Sequence, residues 1–134
     1  SIHVNNYISD TMALILRLEK RKMPDKVKEK FKQAENGQAE ITVPAIVFAE
    51  LAYLSEKERI ETNLTEVKIY LKKYHTINQW PLTISTVLQS FEIDDIPELH
   101  DRLIAGAGKE LDIPILTNDP AIHTSKNTEA IWKN

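Results

Sequence analysis

The apolar positions of this chain fall into blocks that switch between strand-like and helix-like spacing. Short β-branched or aromatic runs read as buried strands. Asn6 to Ser9 is one, with Tyr7 and Ile8 as its apolar part; Ile41-Thr42-Val43 is another; Ile113 to Thr117 is a third. Two weaker segments join them: Thr76 to Leu82, built on Ile77 and Leu82 around Trp80-Pro81, and an edge strand over Ala130 to Trp132. Between these runs the apolar residues follow a helical period. Met12 to Lys22 carries Leu14 and Leu18 at that spacing. Pro24 breaks this helix, and Asp25 opens a second one that runs to the stop signal Asn36-Gly37. Ala45 to Leu54 follows Pro44 as a helix with a single charge, Glu50. Ser55 with Glu58, and Asn63 with Glu66, have capping-box spacing and predict one or two helices ending near Lys73 or Tyr74. Ile84 to Phe91 reads as a further helix. Asp95 and Glu98 are expected to cap the helix that carries Asp101 and stops at Asp112. Strands alternating with helices predict an α/β sandwich with a mainly parallel sheet.

The 134 residues suit one compact domain over positions 1–134, with no linker, repeat or low-complexity segment. The absence of Cys excludes disulfides, thiolate zinc sites and cysteine nucleophiles, and fits a reducing cytoplasm. No apolar run approaches the roughly 18 residues of a membrane span, and no basic stretch leads into an apolar block, so neither a membrane segment nor a signal peptide is expected. The net charge of -3 does not by itself decide for or against nucleic acid, but its distribution is uneven. Eight basic residues against three acids lie between Arg17 and Lys32. Eight acids against Arg102 and Lys109 lie between Glu92 and Asp119. A cation site beside a polyanion track would use both parts; solvated helix faces are the plain alternative.

Four acids stand out by context. Asp10 follows the first strand, Glu50 is the lone charge in PAIVFAELAYL, Asp101 lies in the first turn of its helix, and Asp119 follows the Ile113 strand. In a parallel sheet the carboxyl ends of the strands form the binding rim. Carboxylates converging there suit a hard divalent cation. Taken singly, Asp10 and Asp119 also read as helix caps or turn residues, Asp101 as a first-turn acid, and Glu50 as an exposed residue of an amphipathic helix. Ala105 and Gly108 share the Asp101 face and leave space beside it.

The segments YISDT, PAIVFAEL and LHDRLIAGAGKELDIPILTND, with the closing AIW, resemble PIN-domain proteins, most closely the VapC-like toxin ribonucleases. The resemblance implies a three-layer fold and a Mg²⁺- or Mn²⁺-dependent endoribonuclease, the toxin of a type II toxin–antitoxin pair. It places the family's acidic quartet on Asp10, Glu50, Asp101 and Asp119, and its supporting hydroxyls on Thr11 and Thr117. It also implies a homodimer and a small antitoxin whose tail covers the acidic cleft. Leu14, Leu18, Phe31, Phe48 and Tyr53 are candidates for a partner surface, and equally for core. Asn118 stands where the family often has a basic residue. Gly106 and Gly108 stand where Ala or Thr are common, and would each cost the helix roughly 1 kcal/mol relative to Ala.

The other features are less specific. Lys20 and Arg21 are candidate RNA contacts; on a continuous helix they, with Arg17 and Lys22, would stand roughly 10–18 Å along the axis from Asp10. His100, beside Asp101, is a candidate RNA contact, but with Leu103 near it on the helix surface it is assigned a core or interface role. His3, His75 and His123 have no metal-ligand spacing, and Trp80 and Trp132 read as core or interface. Ser9, Asp10 and Thr11 form no nucleophile triad, since no His partner is indicated. A catalytically inactive RNA- or protein-binding module is the alternative function, which an intact quartet disfavours. A phosphoryl-transfer domain with a strand-end Asp is a third: SDTM has no second acid two residues after Asp10, and no Lys follows a strand suitably.

Overall fold

The computed structural model describes residues 5–133. The chain runs β1 (Asn5–Ser9), α1 (Thr11–Leu18), α2 (Asp25–Glu35), β2 (Ala39–Pro44), α3 (Ala45–Glu56) and α4 (Leu64–Lys73). It continues through β3 (Ile77–Trp80), α5 (Ile84–Phe91), α6 (Leu99–Leu111), β4 (Ile115–Leu116), α7 (Pro120–Thr124) and β5 (Ala130–Ile131). The strands form one parallel sheet in the order β3-β2-β1-β4-β5, with helices packed around it as an α/β/α sandwich. Strands covered on both faces must be apolar throughout. Ile8, Ile41, Val43, Ile115 and Leu116 are accordingly fully buried.

The strand order fixes where a crevice can open. The chain starts at the central β1, moves outward to β3, and returns on the other side of β1 through β4. The switch point therefore lies between β1 and β4, where Ser9 stands beside Leu116. Loops leaving the two strands diverge there and open a crevice at their carboxyl ends.

Several elements differ from the sequence expectations. Helix α1 stops at Leu18, well short of Lys22. Lys20 adopts the left-handed conformation (φ 55°), and the Arg21 N–H turns back to the Leu16 carbonyl at 2.9 Å. Ser55 and Glu58 mark the end of α3, where Glu58 is also left-handed and the Arg59 N–H closes onto Leu54 O at 3.0 Å. Asp95 does not cap α6. It clamps the segment after α7, accepting from Ser125 Oγ at 2.7 Å, the Lys126 N–H at 2.8 Å and Asn127 Nδ2 at 3.1 Å. Glu98 alone is the N-cap. β4 is shorter than Ile113 to Thr117 because Pro114 has no N–H to give and the Ile113 N–H closes α6 onto Gly108 O. Helix α7 is absent from the sequence expectations, although Asp119-Pro120 is a good opening for one.

Gly106 is where α5 and α6 meet. A Cβ there would stand 1.8 Å from Ser90 Oγ and 2.7 Å from Ser90 Cβ, so this glycine is required by the approach of the two helices. At Gly108 a Cβ would come within 2.9 Å of the Ile115 side chain. The helix-propensity cost expected at both positions goes with close packing. Of the candidate partner-surface residues, Leu14 and Phe31 are buried in the core, Leu18 and Phe48 pack half-buried against it, and only Tyr53 is exposed. Trp132 belongs to the core and Trp80 packs against it, its Nε1 donating to Glu110. His3 lies outside the described residues. No helix among them is long and apolar enough to cross a membrane.

Candidate active site

The crevice at the switch point holds a cavity of about 230 Å³, and Asp10, Glu50, Asp101 and Asp119 all line it. Each arrives by a local device. Asp10 is the N-cap of α1, its Oδ1 accepting the Ala13 N–H at 2.8 Å. Asp119 is the N-cap of α7, its Oδ1 accepting the N–H groups of Ala121 at 2.8 Å and Ile122 at 3.2 Å. Capping and convergence are therefore not competing accounts of these residues. Helix starts follow directly from the central strands, so a capping acid is delivered to the crevice.

Glu50 reaches in from α3. The Thr11 hydroxyl donates to its Oε1 at 2.6 Å, and His100 Nδ1 stands 4.0 Å from its Oε2. Asp101 sits in the first turn of α6, whose N-cap Glu98 accepts the N–H groups of His100 at 2.8 Å and Asp101 at 3.1 Å. The buried Thr117 hydroxyl accepts the Asp119 N–H at 3.0 Å and also faces Asp10.

Crowding of like charges shows in the protonation of two of the acids. Burial pushes Asp10 up to about 6 against the hydrogen bonds from Thr117 and Ala13, and the charges of Asp119 and Glu50 add to the rise. Asp101 is raised to about 7, first by burial and then by the Asp119 carboxylate within hydrogen-bonding reach, with Glu98 and Glu50 contributing. Such a cluster is relieved by a proton or by a cation. Oxygen-only donors suit Mg²⁺ or Mn²⁺. Among the described residues no three His, Asp or Glu side chains stand close enough to cage an ion directly.

Some residues are placed differently from expectation. His100 is not core: it is exposed at the edge of the crevice, its Nδ1 3.0 Å from Glu98 Oε2. Lys20 and Arg21 lie beyond the left-handed end of α1, so the axial distance expected for a continuous helix does not apply. They line a different cavity of about 640 Å³ between α1, α2 and α4. Asn118 and Met12, neither of them proposed as a site residue from the sequence, line the acidic cavity. Adjacency to Asp10 and Asp119 is the one clue in the sequence that points to them.

A parallel sheet with four carboxylates gathered at its switch point defines an acidic-crevice class of α/β protein. This chain belongs to the PIN domain family, whose family model matches residues 7–125. No curated protein sequence matches it. Among solved structures, a chain in the crystal structure of VapBC2 from Rickettsia felis bound to a promoter DNA fragment shares the fold. Its TM-score is 0.73 at 19% identity, over 96% of this chain and 98% of that one. A chain of DNA-bound VapBC from Salmonella typhimurium matches with TM-score 0.68 at 14% identity, over 96% and 98%. A chain of FitAcB from Neisseria gonorrhoeae matches with TM-score 0.61 at 15% identity, over 93% and 96%.

Proposed function

We propose that this chain, read as one domain over residues 1–134, is a divalent-cation-dependent endoribonuclease and the toxin of a type II toxin–antitoxin pair. The observation that carries the activity is the convergence of Asp10, Glu50, Asp101 and Asp119 on one cavity, with Asp10 and Asp101 both raised in pKa. The toxin reading is supported by the structural neighbours, which come from VapBC and FitAcB structures and from a toxin–antitoxin complex of Klebsiella pneumoniae. An antitoxin is the proposed heterologous partner, and the cytoplasm the proposed location. For a homodimer the candidate surface is the apolar stripe of α5, where Ile84, Leu88 and Phe91 are exposed on one face.

Asp10 and Asp101 would hold Mg²⁺ or Mn²⁺ most directly, with Glu50 and Asp119 acting directly or through its waters. A cation held there would supply an activated water and neutralise charge on the phosphodiester. The chain's own groups set the geometry. Thr11 fixes the Glu50 carboxylate, Thr117 fixes the backbone that presents Asp119, and both capping acids are held by helix N–H groups. Glu50 and Asp119, anchored in this way, orient the attacking water and accept its proton.

RNA incubated with the protein should be cleaved with Mg²⁺ and left intact with a chelator. Asp10→Asn and Asp101→Asn should each lower the rate roughly hundredfold or more, since the cation is worth several kcal/mol in such a transition state. Wild-type cleavage by either variant across a Mg²⁺ titration would overturn the assignment; RNA binding without cleavage by the unmutated chain would favour the inactive binding module.

A further inference from the structure

We propose that Met12 and His100 are the contacts that grip the bases of an unpaired RNA strand at the acidic crevice. This rests on the ribonuclease reading above and adds the residues that give it a substrate strand. The starting point is an electrostatic problem. Four carboxylates line the cavity, and none of the side chains lining it is Lys or Arg. Among the described residues, His100 is the one basic side chain within 4.0 Å of any of the four acids. Lys20 and Arg21 lie past the opposite end of α1. A polyanion therefore finds little attraction at the crevice beyond a bound cation, and affinity near the cut has to come from packing and stacking contacts.

The two residues offer such contacts from two helices, Met12 from the cavity lining and His100 from its edge. Met12 is 43% exposed, while its neighbours Thr11, Ala13, Leu14 and Ile15 are buried, and it lines the acidic cavity. An apolar side chain beside carboxylates gains nothing from water, and a thioether packs well against aromatic ring edges. His100 is 46% exposed, and its ring is held by one edge: Nδ1 faces Glu98 Oε2 at 3.0 Å. Glu98 is itself fixed as the cap of α6 by two backbone N–H groups. About half of the side chain remains exposed to solvent. Glu50 lies between the two helices, one oxygen toward Thr11 on α1 and the other toward His100 on α6.

Side chains placed this way meet bases whose faces are free, which unpaired strands have and duplexes do not. Stacking accepts any base, so these contacts favour an unpaired strand without choosing its sequence.

The test uses the Asp10→Asn protein in Mg²⁺ and the fluorescence anisotropy of a short fluorescein-labelled single-stranded RNA of mixed sequence. Met12→Ala and His100→Ala should each weaken binding about tenfold. Stacking on a base face neutralises no phosphate, so the slope of log affinity against log salt should match the parent. His100→Phe should recover parental binding and His100→Gln should not. Binding within about twofold of the parent by both Ala variants, or a His100→Phe protein as weak as His100→Ala, would overturn the proposal while leaving the nuclease standing. An unmutated protein that neither binds nor cleaves this RNA in Mg²⁺ would bring down both.

Discussion

Helix α1 has a cavity at each end, and the two handle charge in opposite ways. At its N-terminal end the smaller one gathers four carboxylates, and two of them, Asp10 and Asp101, are pushed toward neutrality. At its C-terminal end the larger one is floored by a closed network. Arg17 donates to both oxygens of Glu35, at 2.9 and 2.5 Å, and the Tyr70 hydroxyl donates to Glu35 at 2.6 Å. Burial raises Glu35, but the hydrogen bonds from Arg17 and Tyr70 outweigh it and hold the carboxyl below its ordinary range. Burial and the same carboxylate push the Tyr70 hydroxyl up. Three helices are stitched together at that end, whereas the acids of the other end have hydrogen-bond donors but no Lys or Arg beside them. Size does not mark the chemistry: the larger cavity is the one whose buried charges are already satisfied.

Substitutions that separate stability from activity probe this contrast most strongly. Glu35→Ala should leave Arg17 and Tyr70 without their acceptor and lower unfolding free energy by about 2 kcal/mol, below the 3–5 kcal/mol of a fully buried pair because both ionic side chains keep some exposure. RNA cleavage at permissive temperature should survive. Asp101→Asn should do the reverse, removing cleavage while stability in the absence of divalent ions holds or rises. Urea unfolding beside an RNA cleavage assay reads both. Equal destabilisation by the two variants would erase the distinction between the ends of α1.

A smaller effect is expected with pH. Asp10 and Asp101 have folded pKa values of about 6 and about 7, raised from 3.8, so the native state holds their protons more tightly than the unfolded chain does. Their contribution to stability is complete below pH 3.8 and is lost as pH rises through about 6 and about 7. Without divalent ions, melting temperature should therefore carry a falling component across that window, absent in the Asp10→Asn, Asp101→Asn double variant. Mg²⁺ above pH 7 should raise the melting temperature of the parent and leave the double variant unmoved. Glu35 runs with the opposite sign: its lowered pKa stabilises at neutral pH and ceases to as pH falls into the carboxylate range. A Mg²⁺ response equal in both proteins would separate the acids from cation binding.

The least effect is expected from the basic residues beyond α1. Lys20→Glu and Arg21→Glu should weaken RNA binding by the Asp10→Asn protein a few-fold and shallow its salt slope by roughly one unit for each phosphate no longer neutralised. In the otherwise unmutated protein, cleavage at saturating RNA should stay near its usual rate. An unchanged slope would return both residues to the role of solvated surface.

Much of the fold is legible in the sequence because the local signals agree. Alternating strands and helices, Pro24 and Asp25, Asn36-Gly37, and Asp112 at the end of α6 all mark boundaries that the structure has in nearly the same places. The misreadings share a cause: a residue pattern that is ambiguous without its partners. Ser55 and Glu58 have the spacing of a helix start but occupy a helix end, because the chain turns left-handed at Glu58, a residue type that gives no local sign of it. Asp95 resembles a cap, yet its acceptors serve Ser125 and Asn127 across the chain. The cost of Gly106 follows from propensity, while the Ser90 backbone that requires it is invisible until α5 and α6 are packed. The four acids stand out by context, and the strand order explains why they meet. His100 is misplaced by its sequence because its neighbour Leu103 is buried, whereas the His100 ring points away to Glu98.

The β1–β4 pairing has a consequence for a chain emerging from the ribosome. Ile8 lies beside Ile115, and Ser9 beside Leu116, so the strands that bring Asp10 and Asp119 together come from distant parts of the sequence. During synthesis β1 can pair with β2 early, through Tyr7 and Ile41, and still have nothing on its other side. Asp10 then caps a helix and does no more. Asp101 and Asp119 arrive only after β2, α3 and β3 have been made, and closing so long a loop is slow relative to local structure. A half-made chain is thus an incomplete acid cluster, and the crevice comes into being in one late step, when β4 docks.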